Sequence, residues 1–188
     1  MNAANSRKNQ AKVLRIFRKI HRYTGATLFL FFFVISVSGL LLGWKKNSNG
    51  WLLADTQKGT TTEFSQWLTL EVLTQKAQAV MKDSVSDETF IVLDRIDIRK
   101  DKGVIKFNFD GYYGLQLDGG TGELLEFGKR NTDLVENIHD GSILDAYFNI
   151  SGGYIKLFYT TIMSVALLIF TITGFWLWYG PKRMRNTT

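Results

Sequence analysis

The sequence predicts a membrane protein of the α+β class. Two transmembrane helices flank an external domain, in which an amphipathic helix packs on an antiparallel sheet of three or four strands. Residues 24–44 and 157–181 contain no charged side chain, and each stretch exceeds the roughly 20 residues that a helix needs to cross a bilayer. Between them the apolar residues follow first a helical period and then a period of two.

The charge distribution predicts the orientation of the chain. Residues 1–22 carry seven Lys and Arg and no acidic residue, and 182–188 carry three and no acidic residue, whereas 45–156 holds all seventeen Asp and Glu. Short flanks rich in Lys and Arg stay in the cytoplasm. We therefore expect both termini to be cytoplasmic and the central domain to be external.

The basic pI of about 9.5 is explained by this orientation and by anionic lipid headgroups, so the expected partner is the lipid bilayer and not nucleic acid. A nucleic-acid-binding arm at residues 7–22 is the less favoured alternative. The first apolar segment is longer than the core of a signal peptide and lacks an A-x-A-like cleavage site, which favours a retained signal anchor.

Six segments follow from these patterns. The basic amphipathic segment is expected to run straight into the first span, and Pro181 is expected to stop the second. The segments are a cytoplasmic basic amphipathic segment (1–22), the first transmembrane helix (23–44), the external domain (45–131), a short helix and linker at the outer membrane face (132–153), the second transmembrane helix (154–180) and a cytoplasmic basic tail (181–188).

The external domain begins with a loop over 47–62. The stretch "LTLEVLTQKAQAVM" (68–81) has helical periodicity, and Thr69, Thr62 and Ser65 are the candidate capping residues. The following strands are separated by "RKDKG", "DGYYG" and "DGGTG", which contain the Gly and Asp that tight turns require. A short helix over 134–139 is expected to end at Gly141.

Cofactor chemistry is limited by the absence of cysteine, which excludes disulfides, thiolate metal sites, iron–sulfur clusters and covalently attached haem. The sequence contains no P-loop and no HExxH, and no catalytic residue is predicted. Imidazole is the common protein ligand of non-covalent haem iron, so His21 and His139 are the candidate cofactor-binding and metal-ligating residues. Alternatively, His21 belongs to a basic interface cluster and His139 is a surface residue.

Geometry separates the two histidines. The 23 residues from His21 to Trp44 span roughly 35 Å of helix, so His21 is expected at the inner face and His139 at the outer face. A haem with two histidine ligands therefore requires a homodimer or a partner membrane protein. A small-residue edge at Ser36, Gly39 and Gly43 would permit helix pairing, and the nearby Phe residues either flank a macrocycle or face lipid.

Several motifs resemble those of the PepSY-associated transmembrane proteins. They occur in the same order as in that family, and together they cover residues 13–185. The histidine-containing motifs are "FRKIHRYTGATLFLFFFVISVSGLLLGW" and "NIHDGSIL", and "TGFWLWYGPKR" resembles the closing helix end. The stretches "LEVLTQKAQAV" and "YYGLQLDGGTGELLEFGKR" are similar to a PepSY helix and its strand–turn–strand signature. The resemblance implies a bacterial inner-membrane location, and the family's helix-end histidines map onto His21 and His139.

Larger members of that family include haem-containing reductases of ferric siderophores, whereas this chain has two spans and one PepSY unit. The leading hypothesis is a homodimeric haem b protein that passes electrons across the bilayer to a ferric chelate, with Arg22 and Lys45 near the propionates. One alternative is a membrane-tethered PepSY module that binds a peptide, a peptidase or an envelope partner. A second alternative is an accessory subunit of an iron-uptake system.

Overall fold

The computed structural model describes residues 3–186, so the outermost residues of both predicted basic segments lie outside the described part. The chain forms two compact units. The helical unit comprises Met1–Gly39 and Asn137–Thr188, and the sheet unit comprises Leu40–Glu136. Together they give the predicted α+β class.

Two long apolar helices dominate the helical unit. Helix α1 covers Ala3–Trp44 without interruption, as predicted for a basic segment that continues into a span. Helix α5 covers Tyr154–Asn186. Both are long and apolar enough to cross a membrane, and large side chains such as Phe29 (67% exposed) and Phe158 (68% exposed) are uncovered. Such exposure is typical of a lipid-facing surface.

The expected stop at Pro181 is wrong, because α5 continues through that residue to Asn186. A proline in a helix removes one hydrogen bond and crowds the preceding turn. Here it lies in the last two turns, where few later bonds depend on it. The ammonium group of Lys182 also lies over the Trp178 ring at 3.9 Å, which ties the last turns together.

Two short helices precede α5. Helix α3 covers Asn131–Asp140 and ends where Gly141 adopts φ +79, as its position in the sequence predicts. Helix α4 covers Ser142–Tyr147 and was not predicted. The buried Asp145 accepts hydrogen bonds from the backbone N–H groups of Ile155 and Lys156. The first N–H groups of a helix need acceptors from outside it, and the Asp145 carboxylate provides them here, so it caps α5.

The sheet unit contains helix α2 and four antiparallel strands, which confirms the predicted helix and sheet. Helix α2 covers Leu70–Ser84, and the Thr69 side chain caps it by accepting a hydrogen bond from the backbone of Val72. The strands are adjacent in chain order. They are β1 (Leu93–Arg99), β2 (Val104–Phe109), β3 (Tyr113–Asp118) and β4 (Leu124–Lys129).

One face of the sheet packs against α2. Phe107 lies at the centre of this core and is fully buried, paired with Leu115 on β3 and Ile96 on β1. A bulge between Leu93 and Arg95 explains why the apolar spacing of β1 departs from two at this point. The buried members of the core are Leu73, Ala77, Met81, Val85, Ile105, Phe107, Phe109, Leu115 and Leu117.

The opposite face of the sheet is polar yet buried. The amide of Gln116 donates to the Asp55 carbonyl and accepts from the Gln57 backbone, and Lys106 donates to the Thr56 hydroxyl at 2.8 Å. Part of the predicted 47–62 loop therefore covers this face. Its polar composition matches the polar face beneath it, because buried polar groups need hydrogen-bond partners.

Candidate functional site

His21 lies on α1 and is directed at α5. Its Nδ1 is 3.1 Å from the Phe170 carbonyl oxygen and 3.1 Å from the Thr173 hydroxyl oxygen. The imidazole stacks on the Phe170 ring at 3.9 Å between centroids. The ring lies over Gly174, where a Cβ atom would come within 3.2 Å of His21 Cε1. Only a glycine permits this close approach without displacing the imidazole.

His139 lies in the last turn of α3 and is directed at α1. Its Nδ1 is 2.8 Å from the hydroxyl oxygen of the buried Ser38. The ring lies over Gly39, where a Cβ would be 3.4 Å from His139 Cε1. The two predicted residues thus share one local arrangement, in which the imidazole sits on a hydroxyl residue followed by glycine.

Both hydroxyl groups also donate within their own helices. The Ser38 hydroxyl is 2.6 Å from the Val34 carbonyl, and the Thr173 hydroxyl is 2.7 Å from the Ile169 carbonyl. Within the described residues, neither histidine makes a hydrogen bond through Nε2. Each imidazole is therefore fixed by one nitrogen, while its second nitrogen is unengaged.

The two sites are far apart. Ser38 lies 17 residues beyond His21 on the same helix, which corresponds to about 26 Å along the axis. The structure does not bring His21 and His139 together, and no group of three or more His, Cys, Asp or Glu that could hold a metal ion occurs between residues 3 and 186. Each site offers a single imidazole donor.

A charged cluster borders the His139 site. Asp140 forms an ion pair with Lys156 and accepts a hydrogen bond from the Ser142 backbone. Burial alone would raise the pKa of Asp140, but the hydrogen bonds from Lys156 and Ser142 outweigh it and hold that pKa below its usual range. A cavity of about 200 Å³ lies beside it, and its polar lining includes Ser36, His139, Asp140, Tyr159 and Ser164.

Sequence reasoning missed the partners of both histidines. Gly39 was assigned to helix pairing but lies under His139, while a Cβ at Gly43 would meet no atom within 4 Å. Ser38, Thr173 and Gly174 were not named as site residues. The available signal was the repeated step of a hydroxyl residue followed by glycine, "SG" in the first span and "TG" in the second.

The two candidate spans come before and after the helix-and-sheet domain in the sequence. One anchored histidine contacts α5 and the other contacts α1. These features define a membrane protein with an inserted α+β domain. The family model of the PepSY-associated TM region matches residues 18–187, and the chain belongs to this family. It is a membrane protein with two candidate transmembrane helices. Searches of curated proteins and of solved structures gave no significant match.

Proposed function

We propose that this protein binds haem b and transfers electrons across the bacterial inner membrane to an external ferric chelate. The observation that carries the proposal is the pair of histidines. Each one is directed at an apolar helix, is anchored there through Nδ1, and leaves Nε2 without a hydrogen-bond partner among the described residues. An imidazole held in this way is the usual axial ligand of non-covalent haem.

The charge pattern supports the orientation of this function. The basic flanks of α1 and α5 would lie in the cytoplasm, and the sheet unit would lie outside. His21 is then the inner ligand and His139 the outer ligand. The separation of about 26 Å along α1 is close to the roughly 30 Å thickness of the hydrocarbon layer.

The donor chemistry fits haem, because each site supplies one imidazole nitrogen that makes no hydrogen bond within the described residues. The surroundings of His21 are apolar, whereas the ion pair of Asp140 and Lys156 borders His139. The bound iron would supply one-electron redox chemistry. The protein itself would hold one ring through His21 and another through His139, and it would exclude water with the surrounding Phe side chains. The cavity of about 200 Å³ beside His139 is smaller than the roughly 300 Å³ at which ligand pockets begin. We therefore propose a homodimer, in which the second copy supplies the remaining space and the second imidazole.

Visible spectroscopy tests this function. The full chain is expressed with added haem, purified in mild detergent, and compared as wild type, His21→Ala, His139→Ala and the double variant. In a homodimer with one haem at each level, each single variant should lose about half of the reduced-minus-oxidised b-type signal, and the double variant all of it. Tyr23→Ala removes an exposed aromatic two residues from His21 and should keep the full signal. A wild-type spectrum without haem bands contradicts the proposal.

A second function, a membrane-tethered module that binds an extended peptide, is favoured by the sheet. Strands β1 and β4 are its two edges, and Ile98 and Leu124 on them are exposed. An unpaired edge can accept a further strand. This function predicts that extended synthetic peptides bind the full chain, that Leu124→Lys weakens binding, and that replacing both histidines leaves it intact. Loss of binding in the double-histidine variant contradicts it.

A further inference from the structure

We propose that Thr173 and Ser38 are positioning residues that hold His21 and His139 in the Nδ1–H tautomer. Nε2 of each imidazole then carries the free electron pair. The ligand role of Nε2 rests on the proposed haem function, whereas the tautomer itself does not. Each proton can be assigned from the contacts of the hydroxyl group that faces it.

At the His21 site, a backbone carbonyl group shows which imidazole nitrogen carries the proton. The Phe170 oxygen, 3.1 Å from His21 Nδ1, can only accept a hydrogen bond. The Thr173 hydroxyl has one proton, and its closest acceptor is the Ile169 carbonyl at 2.7 Å. Both neighbours of Nδ1 are therefore acceptors, so Nδ1 must be the donor.

At the His139 site, the position of the imidazole proton follows from the contacts of the Ser38 hydroxyl alone. Ser38 Oγ is 2.6 Å from the Val34 carbonyl oxygen and 2.8 Å from His139 Nδ1. If the single hydroxyl proton pointed at the imidazole, two acceptor oxygens would face each other at 2.6 Å with no proton between them. The favourable arrangement is donation from Ser38 to Val34 and from His139 Nδ1 to Ser38.

The glycine that follows each hydroxyl residue makes the arrangement sterically possible. Gly174 and Gly39 lie directly under the two imidazoles, with ideal Cβ positions 3.2 Å and 3.4 Å from Cε1. The hydroxyl supplies the acceptor and the glycine supplies the space. This pairing fixes both the tautomer and the position of the ring, as a hydrogen-bonded partner does for a metal-ligating histidine.

Nitrogen-15 NMR on the haem-free full chain tests the proposal directly. The chain has only two histidines, so His21→Gln assigns all four ring nitrogens of the histidine-labelled protein. The spectra are recorded in lipid at about pH 8.5, well above the usual histidine pKa of about 6.5. We expect both imidazoles to show a protonated Nδ1 and an unprotonated Nε2. An Nε2–H tautomer at either histidine in the wild type overturns the assignment for that site.

Variants then test the named residues. Solvated histidine favours the Nε2–H tautomer, so Ser38→Ala should shift most of the His139 population to that form. Thr173→Val should shift His21 only in part, because the Phe170 carbonyl remains. Ser38→Thr and Thr173→Ser keep the hydroxyl and should preserve the wild-type tautomers. If Ser38→Ala leaves His139 fully in the Nδ1–H form, Ser38 does not position it.

The two proposals fail separately. Haem-free protein with both Nδ1–H tautomers but no haem spectrum after reconstitution would overturn the haem function and keep the positioning roles. Haem spectra together with an Nε2–H tautomer in the haem-free wild type would overturn the positioning roles alone. The wild-type spectrum requires no variant, so a variant that fails to fold does not remove the test.

Discussion

The two units of the molecule bury opposite kinds of side chain. In the sheet unit the core is apolar, and Phe107, Leu115 and Leu117 are almost inaccessible. In the helical unit the buried side chains include the hydroxyl residues Ser38 and Thr173, while large apolar residues line the outside. The sheet unit therefore has the pattern of a domain in water, and the helical unit has the pattern of helices in lipid.

The difference shows what stabilises each unit. Burial of apolar area drives the folding of the sheet unit. Apolar side chains on α1 and α5 would gain little from mutual contact in a bilayer, because lipid is as apolar as they are. Small residues and hydrogen bonds must then specify how these helices pack. The hydrogen bonds of His21 with α5 are interactions of this kind, and so are the close approaches of Phe170 to Gly25 and of Leu14 to Gly180. The hydrogen bond between His139 and Ser38 attaches α3 to α1 in the same way.

Truncation of one phenylalanine in each unit should give the largest contrast. Phe107→Ala in the sheet core should destabilise that unit by about 3–5 kcal/mol, because it removes a buried ring and leaves a cavity. Phe29→Ala makes the same chemical change at a side chain that is 67% exposed. It should leave the protection of backbone amides from hydrogen exchange unchanged. Hydrogen exchange of β2 and β3 in the full chain in detergent measures the first effect, and exchange along α1 measures the second. Equal losses of protection would contradict the difference between the units.

The buried carboxylate of Asp118 should give an intermediate, pH-dependent effect in the sheet unit. Burial alone would raise its pKa, but hydrogen bonds from Thr60, Gly120 and Thr121 outweigh burial and hold the pKa below its usual range. Since the pKa is lower in the folded chain, the ionised group stabilises the fold above its unfolded pKa of about 3.9. This stabilisation is lost as the pH falls through the folded pKa.

Asp118→Asn should therefore lower the free energy of unfolding by about 2–3 kcal/mol near neutral pH, because the charged acceptor of several hydrogen bonds is lost. The difference from wild type should shrink below about pH 4, where the native carboxylate becomes protonated. Urea unfolding of both proteins across this pH range, followed by tryptophan fluorescence, gives the measurement. Asp94→Asn changes a carboxylate on the exposed side of β1 and serves as the control. A cost that is independent of pH would argue against the ionised form.

Alanine at the glycines of α1 and α5 should give the smallest and most local effects. Gly174→Ala places a Cβ atom 3.2 Å from His21 Cε1 and should lower the free energy of unfolding by about 1–3 kcal/mol, because the site becomes overpacked. Gly39→Ala places a Cβ atom 3.4 Å from His139 Cε1, so its destabilising effect should be smaller. Gly43→Ala is the matched control, since nothing lies within 4 Å and alanine favours the helix by about 1 kcal/mol.

Thermal unfolding in detergent ranks the three glycine variants, and the ring nitrogens of His21 and His139 report the local change. Gly174→Ala should shift the His21 signals and leave those of His139 in place, and Gly39→Ala should do the reverse. If all three variants are equally stable and no histidine signal moves, the imidazoles do not rest on these glycines.

Patterns that repeat along the chain were readable from the sequence. The uncharged runs predicted the helices that the structure shows as α1 and α5. The period of two predicted an antiparallel sheet of three or four strands, and the structure has four. Local chemistry also placed the Thr69 cap and the stop at Gly141. These features depend on neighbours in sequence, for which periodicity and backbone preference are sufficient evidence.

Contacts between distant residues were not readable in this way. The sequence singled out His21 and His139 because they are the only histidines, but it assigned Gly39 to helix pairing and expected a stop at Pro181. The hydroxyl residue that contacts each imidazole lies 101 residues from His139 and 152 residues from His21, and the glycine follows it in the sequence. No local pattern determines such a pairing, because it depends on which helix faces which.

The sequence by itself determined the class of this protein, its two apolar helices and its family, since these follow from composition, period and motif order. The tertiary structure decided that each histidine is anchored by Nδ1 on a hydroxyl residue of another helix. It also decided that residues 55–57 of the 47–62 loop cover the polar face of the sheet. The physical reason is that hydrogen bonds and close packing depend on positions in space, which the chain defines only once it has folded.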